Sequence, residues 1–159
     1  MFKDIIDNKN HIKTLVIDTM NRIMTDKVMS DRDVDDWGKW KDLSGGVYDI
    51  ISLINKRLPA DMVVFVLFHE DTFYTDEGIK TRRIAVQGQQ LKKISIESMG
   101  TVVLFTRVKP GEEGGKCEYL FQTQSDGYST AKSPMGMFKD FEVPNDYELI
   151  IKKIKEYNN

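Results

Sequence analysis

A single cysteine, Cys117, stands in a chain of 159 residues, so no internal disulfide can form and no cysteine-rich metal site can be built. Histidine is almost as scarce. His11 and His69 have no partner at metal-ligand spacing, which leaves zinc without a ligand set. Charge of one sign is not in excess either: the formal net charge is -2, which argues against a generally basic nucleic-acid protein but leaves room for a local basic patch. No apolar run exceeds strand length, so no membrane span is expected. The acidic start Met1–Asp7 has no signal-like apolar region, and the expectation is a soluble cytoplasmic protein. A nucleophile elbow and a Cys–His pair are also absent, which removes support for hydrolase chemistry of those kinds. There is no internal repeat and no low-complexity linker, and the length fits one domain over 1–159.

What is present is alternation. Phe2, Ile5 and Ile6 have helical spacing, broken at Asn8-Lys9-Asn10 before a strand over Ile12–Ile17. Leu15-Val16-Ile17 is continuous and apolar, as in a strand buried on both faces. Met20, Ile23, Met24 and Val28 predict a short helix. A polar stretch with Trp37 and Trp40 follows, and Gly45-Gly46 reads as a turn. Val47, Ile50, Ile51, Ile54 and Leu58 then form an amphipathic helix ended by Pro59. Met62–Phe68 is the strongest strand, again expected to be buried on both faces. Glu70–Lys80 reads as a polar connection with a turn at Asp76-Glu77-Gly78, and Ile84–Val86 as a short strand. Gly88 opens a helix through Leu91, Ile94 and Ile96. Thr101–Val108 and Cys117–Gln124 form a hairpin around Pro110–Gly115. Asn145 and Glu148 make a capping-box-like start for a final helix with Tyr147, Ile150, Ile151 and Ile154 on its buried stripe. The pattern predicts a three-layer α/β domain with a mostly parallel sheet and a C-terminal β-hairpin.

Four constellations can carry chemistry. Asp18 ends a buried strand, where open α/β sheets bind ligands, and a carboxylate there can hold hydrated Mg²⁺; a strand-ending or helix-capping Asp is the plainer reading. His69, with Glu70 and Asp71, ends the next strand and is either a phosphate sensor or an ordinary loop residue. Lys80, Arg82, Arg83, Lys92 and Lys93 cluster in an otherwise acidic chain, with Phe73 and Tyr74 nearby. They either track a phosphate backbone or form a solvated face. Lys132 lies in a turn, Ser129–Gly136, and either reaches a phosphate on a neighbouring subunit or is simply part of a turn built with Pro and Gly.

In order along the chain, the segments Ile12–Thr19, Val64–Asp71, Thr101–Thr106, Tyr119–Gln124 and Ala131–Phe138 resemble the phage "AAA-domain" ATPases of the RecA/RAD-like group, found in phage recombination and replication modules. The resemblance covers nearly the whole chain and implies a partial RecA-like core, working in a phage-infected bacterial cell. It implies that Asp18, with Thr19, holds the Mg²⁺ of a bound ATP, and that His69 senses the γ-phosphate. Lys132 would reach a neighbour's ATP site, in a homo-oligomer or with a partner chain that supplies a missing strand. The basic residues from Lys80 to Lys93 would contact single-stranded DNA. The departure is equally specific: no Gly-x-x-x-x-Gly-Lys-[Ser/Thr] segment occurs. The resemblance therefore implies a truncated or non-catalytic member, with cofactors ATP and Mg²⁺ in full-length relatives and either these or none here. The alternative is an interaction protein that binds a RecA-like assembly or a host protein through a retained oligomer surface. A nucleic-acid-binding module without nucleotide is a third reading.

Overall fold

The computed structural model describes Ile5 and residues 11–34, 36–112 and 115–158. Of the expected first helix only Ile5 falls among them, helical and buried; Phe2, Ile6 and the break at Asn8–Asn10 lie outside the described residues. The chain divides into two compact units, Met1–Asp71 with Ile84–Met99, and Thr72–Arg83 with Gly100–Asn159. It mixes helix and strand throughout.

In the first unit, β1 (Thr14–Ile17) leads into α1 (Met20–Ser30), α2 (Gly38–Arg57) and β2 (Val63–Val66). β1 and β2 pair in parallel, from Thr14 opposite Val63 to Ile17 opposite Val66. The helices form the crossover that parallel strands require. Thr19 starts α1 with an extended backbone, and its hydroxyl accepts from the Arg22 N–H at 3.3 Å, which satisfies one orphan donor of the first turn. The core gathers Ile17, Met20, Met24, Leu43, Val47, Ile51, Leu91 and Ile96, with Trp40, Val66 and Phe68 packed against it. Each fully buried side chain of this size contributes about 1.5–3 kcal/mol.

Several expectations are corrected here. Gly45-Gly46 is no turn: α2 runs straight through it. Trp40 and Leu43 before the pair and Val47 and Ile51 after it continue one core-facing stripe, and that packing outweighs a helix cost of about 1 kcal/mol per glycine. The strands are not buried on both faces. Val16 is 54% exposed and Leu67 41%, because the core cluster covers Ile17 and Val66 and their side of a sheet of only two strands. The polar connection after β2 is itself a hairpin, β3 (Glu70–Tyr74) and β4 (Lys80–Ile84). Its turn falls where expected, with Gly78 at φ 80° and the Thr75 N–H bonded to the Ile79 carbonyl. Ile84–Val86 is therefore the end of β4 and its exit, not a strand of its own. α3 (Gln89–Lys93) is short, and a 3₁₀ turn, Ile96–Met99, follows it.

The second unit holds the sheet β5 (Phe105–Lys109), β6 (Glu118–Gln122) and β7 (Glu142–Pro144), paired antiparallel in that order. The expected hairpin is thus present and gains a third strand that no alternation announced. Glu113 and Gly114 of its turn lie outside the described residues. α4 (Tyr147–Asn158) closes the chain. Its cap is Asp146, whose Oδ1 accepts from the Glu148 and Leu149 N–H groups at 2.8 and 3.3 Å; the expected box on Asn145 does not form. Ile150 is buried, whereas Tyr147 faces solvent. Parallel pairing between named strands is confined to β1 and β2 among the described residues. The expected mostly parallel sheet is therefore corrected to small sheets with antiparallel pairing predominant. No helix among the described residues is long and apolar enough to cross a membrane.

Candidate functional site

The first unit brings its strand ends together. The Leu67 N–H donates to the Ile17 carbonyl at 3.0 Å, and the Met20 N–H donates to the Leu67 carbonyl at 2.9 Å. Asp18 and Thr19 fill the step between β1 and α1, joined by a cis peptide bond. Asp18 is exposed at the carboxyl end of β1, and Thr19 is half-buried and occupied as the helix cap. His69 is exposed just beyond β2, at the same end of the sheet. So Asp18, Thr19 and His69 share one strand end. Among the described residues no group of three or more His, Cys, Asp or Glu side chains is arranged to hold a metal ion, and Asp18 is the carboxylate this strand end offers to one.

Beneath these residues lies one the sequence reading missed. Asn21, 9% exposed, sits on the first turn of α1. Its Oδ1 accepts from the His69 N–H at 2.8 Å, and its Nδ2 donates to the Ala85 carbonyl at 3.0 Å. The His69 carbonyl in turn accepts from the Ala85 N–H at 2.7 Å. Glu97, also buried, accepts from the Ile84 N–H at 3.2 Å. A polar residue between Met20 and Met24 on a helix with an apolar stripe was the available signal.

The second unit contains the densest polar arrangement. Gln122 is fully buried on β6. Its Oε1 accepts from Arg82 Nη2 at 3.0 Å and Arg107 Nε at 3.1 Å; its Nε2 donates to the Gln124 carbonyl at 2.7 Å and Ser129 Oγ at 2.8 Å. Every hydrogen-bonding position of that amide is used, as burial demands. Asp126 Oδ2 accepts from Arg82 and Arg107 at 3.0 and 3.2 Å, and its Oδ1 from the Tyr128 N–H at 3.0 Å. Burial pushes the Asp126 carboxyl up, but the Tyr128 amide, the Ser129 hydroxyl and the Arg82 charge outweigh it, and the group is lowered to about 2. Arg82 also lies over the Phe105 ring at 5.4 Å. Adjacent to this network, Gln124 Nε2 donates to Ser133 Oγ at 2.6 Å, and Ser133 Oγ donates to the Thr123 carbonyl at 3.1 Å. These bonds tie Tyr119–Gln124 to Ala131–Phe138.

The expected DNA contacts are distributed accordingly. Arg82, its side chain 14% exposed, spends its guanidinium on Asp126 and Gln122. Arg83 is half-buried and stacks on Phe73 at 4.4 Å. Lys80 is exposed on β4; Lys92 and Lys93 are exposed on α3 of the other unit. Lys132 is half-buried, its main chain exchanging hydrogen bonds with Val103 at 2.8 and 2.9 Å. Of the predicted residues, then, Asp18, Thr19 and His69 converge, Lys80, Arg82 and Arg83 share one strand, and Lys132 belongs to the second unit.

No family model matches the chain, and no curated protein or solved structure matches it.

Proposed function

We propose that this chain is a non-catalytic derivative of the RecA-like ATPases carried in phage recombination and replication modules, and that it acts by assembling with other chains rather than by hydrolysing ATP. The observation that carries the reading is the parallel β1–β2 pair, with Asp18 exposed at the carboxyl end of β1 and a capped helix starting directly after it. A carboxylate so placed suits a hydrated Mg²⁺. His69 at the neighbouring strand end suits a sensor of what that ion carries. Nothing in these 159 residues supplies the glycine-rich loop and lysine that grip phosphates, so a nucleotide would meet Asp18 without its main ligands.

The partner reading has its own support. Among the described residues β2 pairs on one side only. Val63 and Leu67 turn their N–H groups to β1, so Val64 and Val66 direct theirs outward, and an edge without charge or proline invites another strand. Single-stranded DNA is a weaker candidate, since Arg82 is engaged internally. The test is calorimetric titration of Mg-ATP into the chain, with Asp18→Ala in parallel and the sedimentation state measured alongside. Weak or absent nucleotide binding with concentration-dependent assembly supports the proposal. Micromolar binding that depends on Asp18 overturns it.

A further inference from the structure

Within the second unit two guanidiniums converge on one oxygen. Arg82 and Arg107 each place an Nη2 on Asp126 Oδ2, at 3.0 and 3.2 Å. The Tyr128 N–H bonds the other oxygen at 3.0 Å, and the Ser129 hydroxyl also bonds the carboxylate. Two cations, a main-chain amide and a hydroxyl form a donor set suited to a bound oxyanion.

The cations owe their places to other contacts. Gln122 Oε1 accepts from both guanidiniums, and Gln122 is itself fixed by Gln124 and Ser129. The Phe105 ring underlies Arg82. The carboxylate, by contrast, comes from a surface loop and reaches them through its side chain alone. Past Gly127, at φ 84°, the loop's main chain is paired to β4. The Arg82 N–H donates to the Tyr128 carbonyl at 2.6 Å, and the Arg82 carbonyl accepts from the Thr130 N–H at 3.2 Å. Rotation about the side-chain bonds of Asp126 therefore carries its carboxylate into solvent without unpairing that strip. Arg107 and Asp126 both reach solvent, so a ligand can approach from their side.

Charge selects the ligand. Asp126 brings one negative charge to two guanidiniums, whereas a phosphate monoester brings about 1.5 to 2 at neutral pH and has oxygens for both forks. A phosphodiester brings no more charge than the resident carboxylate.

We infer that Arg82 and Arg107 form a site for a dianionic phosphate group, and that Asp126 closes it as a tethered substitute for the ligand. Neither the strand end at Asp18 nor a nucleotide there takes part.

Titration calorimetry on the full chain at constant ionic strength tests it, with inorganic phosphate, glycerol phosphate and dimethyl phosphate as probes. With its carboxylate in place the parent should bind all three more weakly than about 1 mM. Asp126→Ser removes the carboxylate and keeps a hydroxyl for the turn. It should bind inorganic phosphate and glycerol phosphate roughly tenfold tighter than the parent, because a site without a competitor shows its full affinity. Dimethyl phosphate should bind it more weakly than glycerol phosphate, and Arg107→Gln added to Asp126→Ser should remove the gain. Preference for glycerol phosphate over inorganic phosphate assigns the site to a monoester, and the reverse assigns it to the free ion. In the parent, high glycerol phosphate should shift the Tyr128 amide resonance as the carboxylate leaves. The site is overturned if Asp126→Ser gains nothing, if the gain survives Arg107→Gln, or if dimethyl phosphate binds as tightly as glycerol phosphate. An unmoved Tyr128 resonance in the parent overturns it as well. Should Asp126→Ser fail to fold, Asp126→Asn is judged by the same outcomes.

Discussion

Replacing Asp126 by Asn isolates the charge at the centre of the second unit's polar network. The carboxyl falls from 3.8 to about 2 in the folded chain, and at about 1.36 kcal/mol per unit that difference corresponds to about 2.4 kcal/mol of stability. The side chain is 24% exposed, so solvent screening trims the figure, and about 1.5–2 kcal/mol is the expected loss at neutral pH. That loss corresponds to roughly 10- to 30-fold faster opening. Both tryptophans, Trp37 and Trp40, belong to the first unit, so their fluorescence is the wrong probe. Hydrogen exchange at Leu120–Thr123 reads the second unit directly. Because the folded carboxyl lies below its unfolded value, its contribution is fully present above about pH 4 and is lost as pH falls through about 2. Parent and Asp126→Asn should therefore differ at pH 7 and converge toward pH 2. A difference at pH 7 worth less than about 0.5 kcal/mol, or one that stays constant down to pH 2, would refute the reasoning.

Gly45 and Gly46 sit inside α2, and an added Cβ meets nothing within 4 Å at either. Gly45→Ala and Gly46→Ala should each stabilise the chain by about 0.5–1 kcal/mol in urea unfolding followed by tryptophan fluorescence. Met24→Ala, at a fully buried position, should cost about 2–5 kcal/mol by the same measurement.

The strongest sequence signals were those with a local cause. Met20, Met24 and Val28 at helical spacing gave α1, and the turn at Asp76–Gly78 was placed because glycine there takes a positive φ. The short β7 carried no such signal: its three residues owe their state to pairing with Leu120, Phe121 and Gln122. Gly45-Gly46 misled because propensity is weaker than a core-facing stripe. The Asp18 strand end was legible because a short continuous apolar run, Leu15-Val16-Ile17, stops at a carboxylate. Asn21, Gln122 and Asp126 were not, since their roles depend on partners distant in sequence, 15 residues away for Arg107–Gln122 and 64 for Asn21–Ala85. Arg82 shows what neighbours add to a basic residue: in the folded chain its guanidinium pairs with Asp126 and Gln122.

What the Asp18 strand end does when nucleotide is offered is decided most directly by calorimetric titration of Mg-ATP into the chain. The expected result is no saturable binding tighter than about 1 mM, some 4 kcal/mol, and no change on Asp18→Ala. A micromolar dissociation constant that Asp18→Ala abolishes would contradict it.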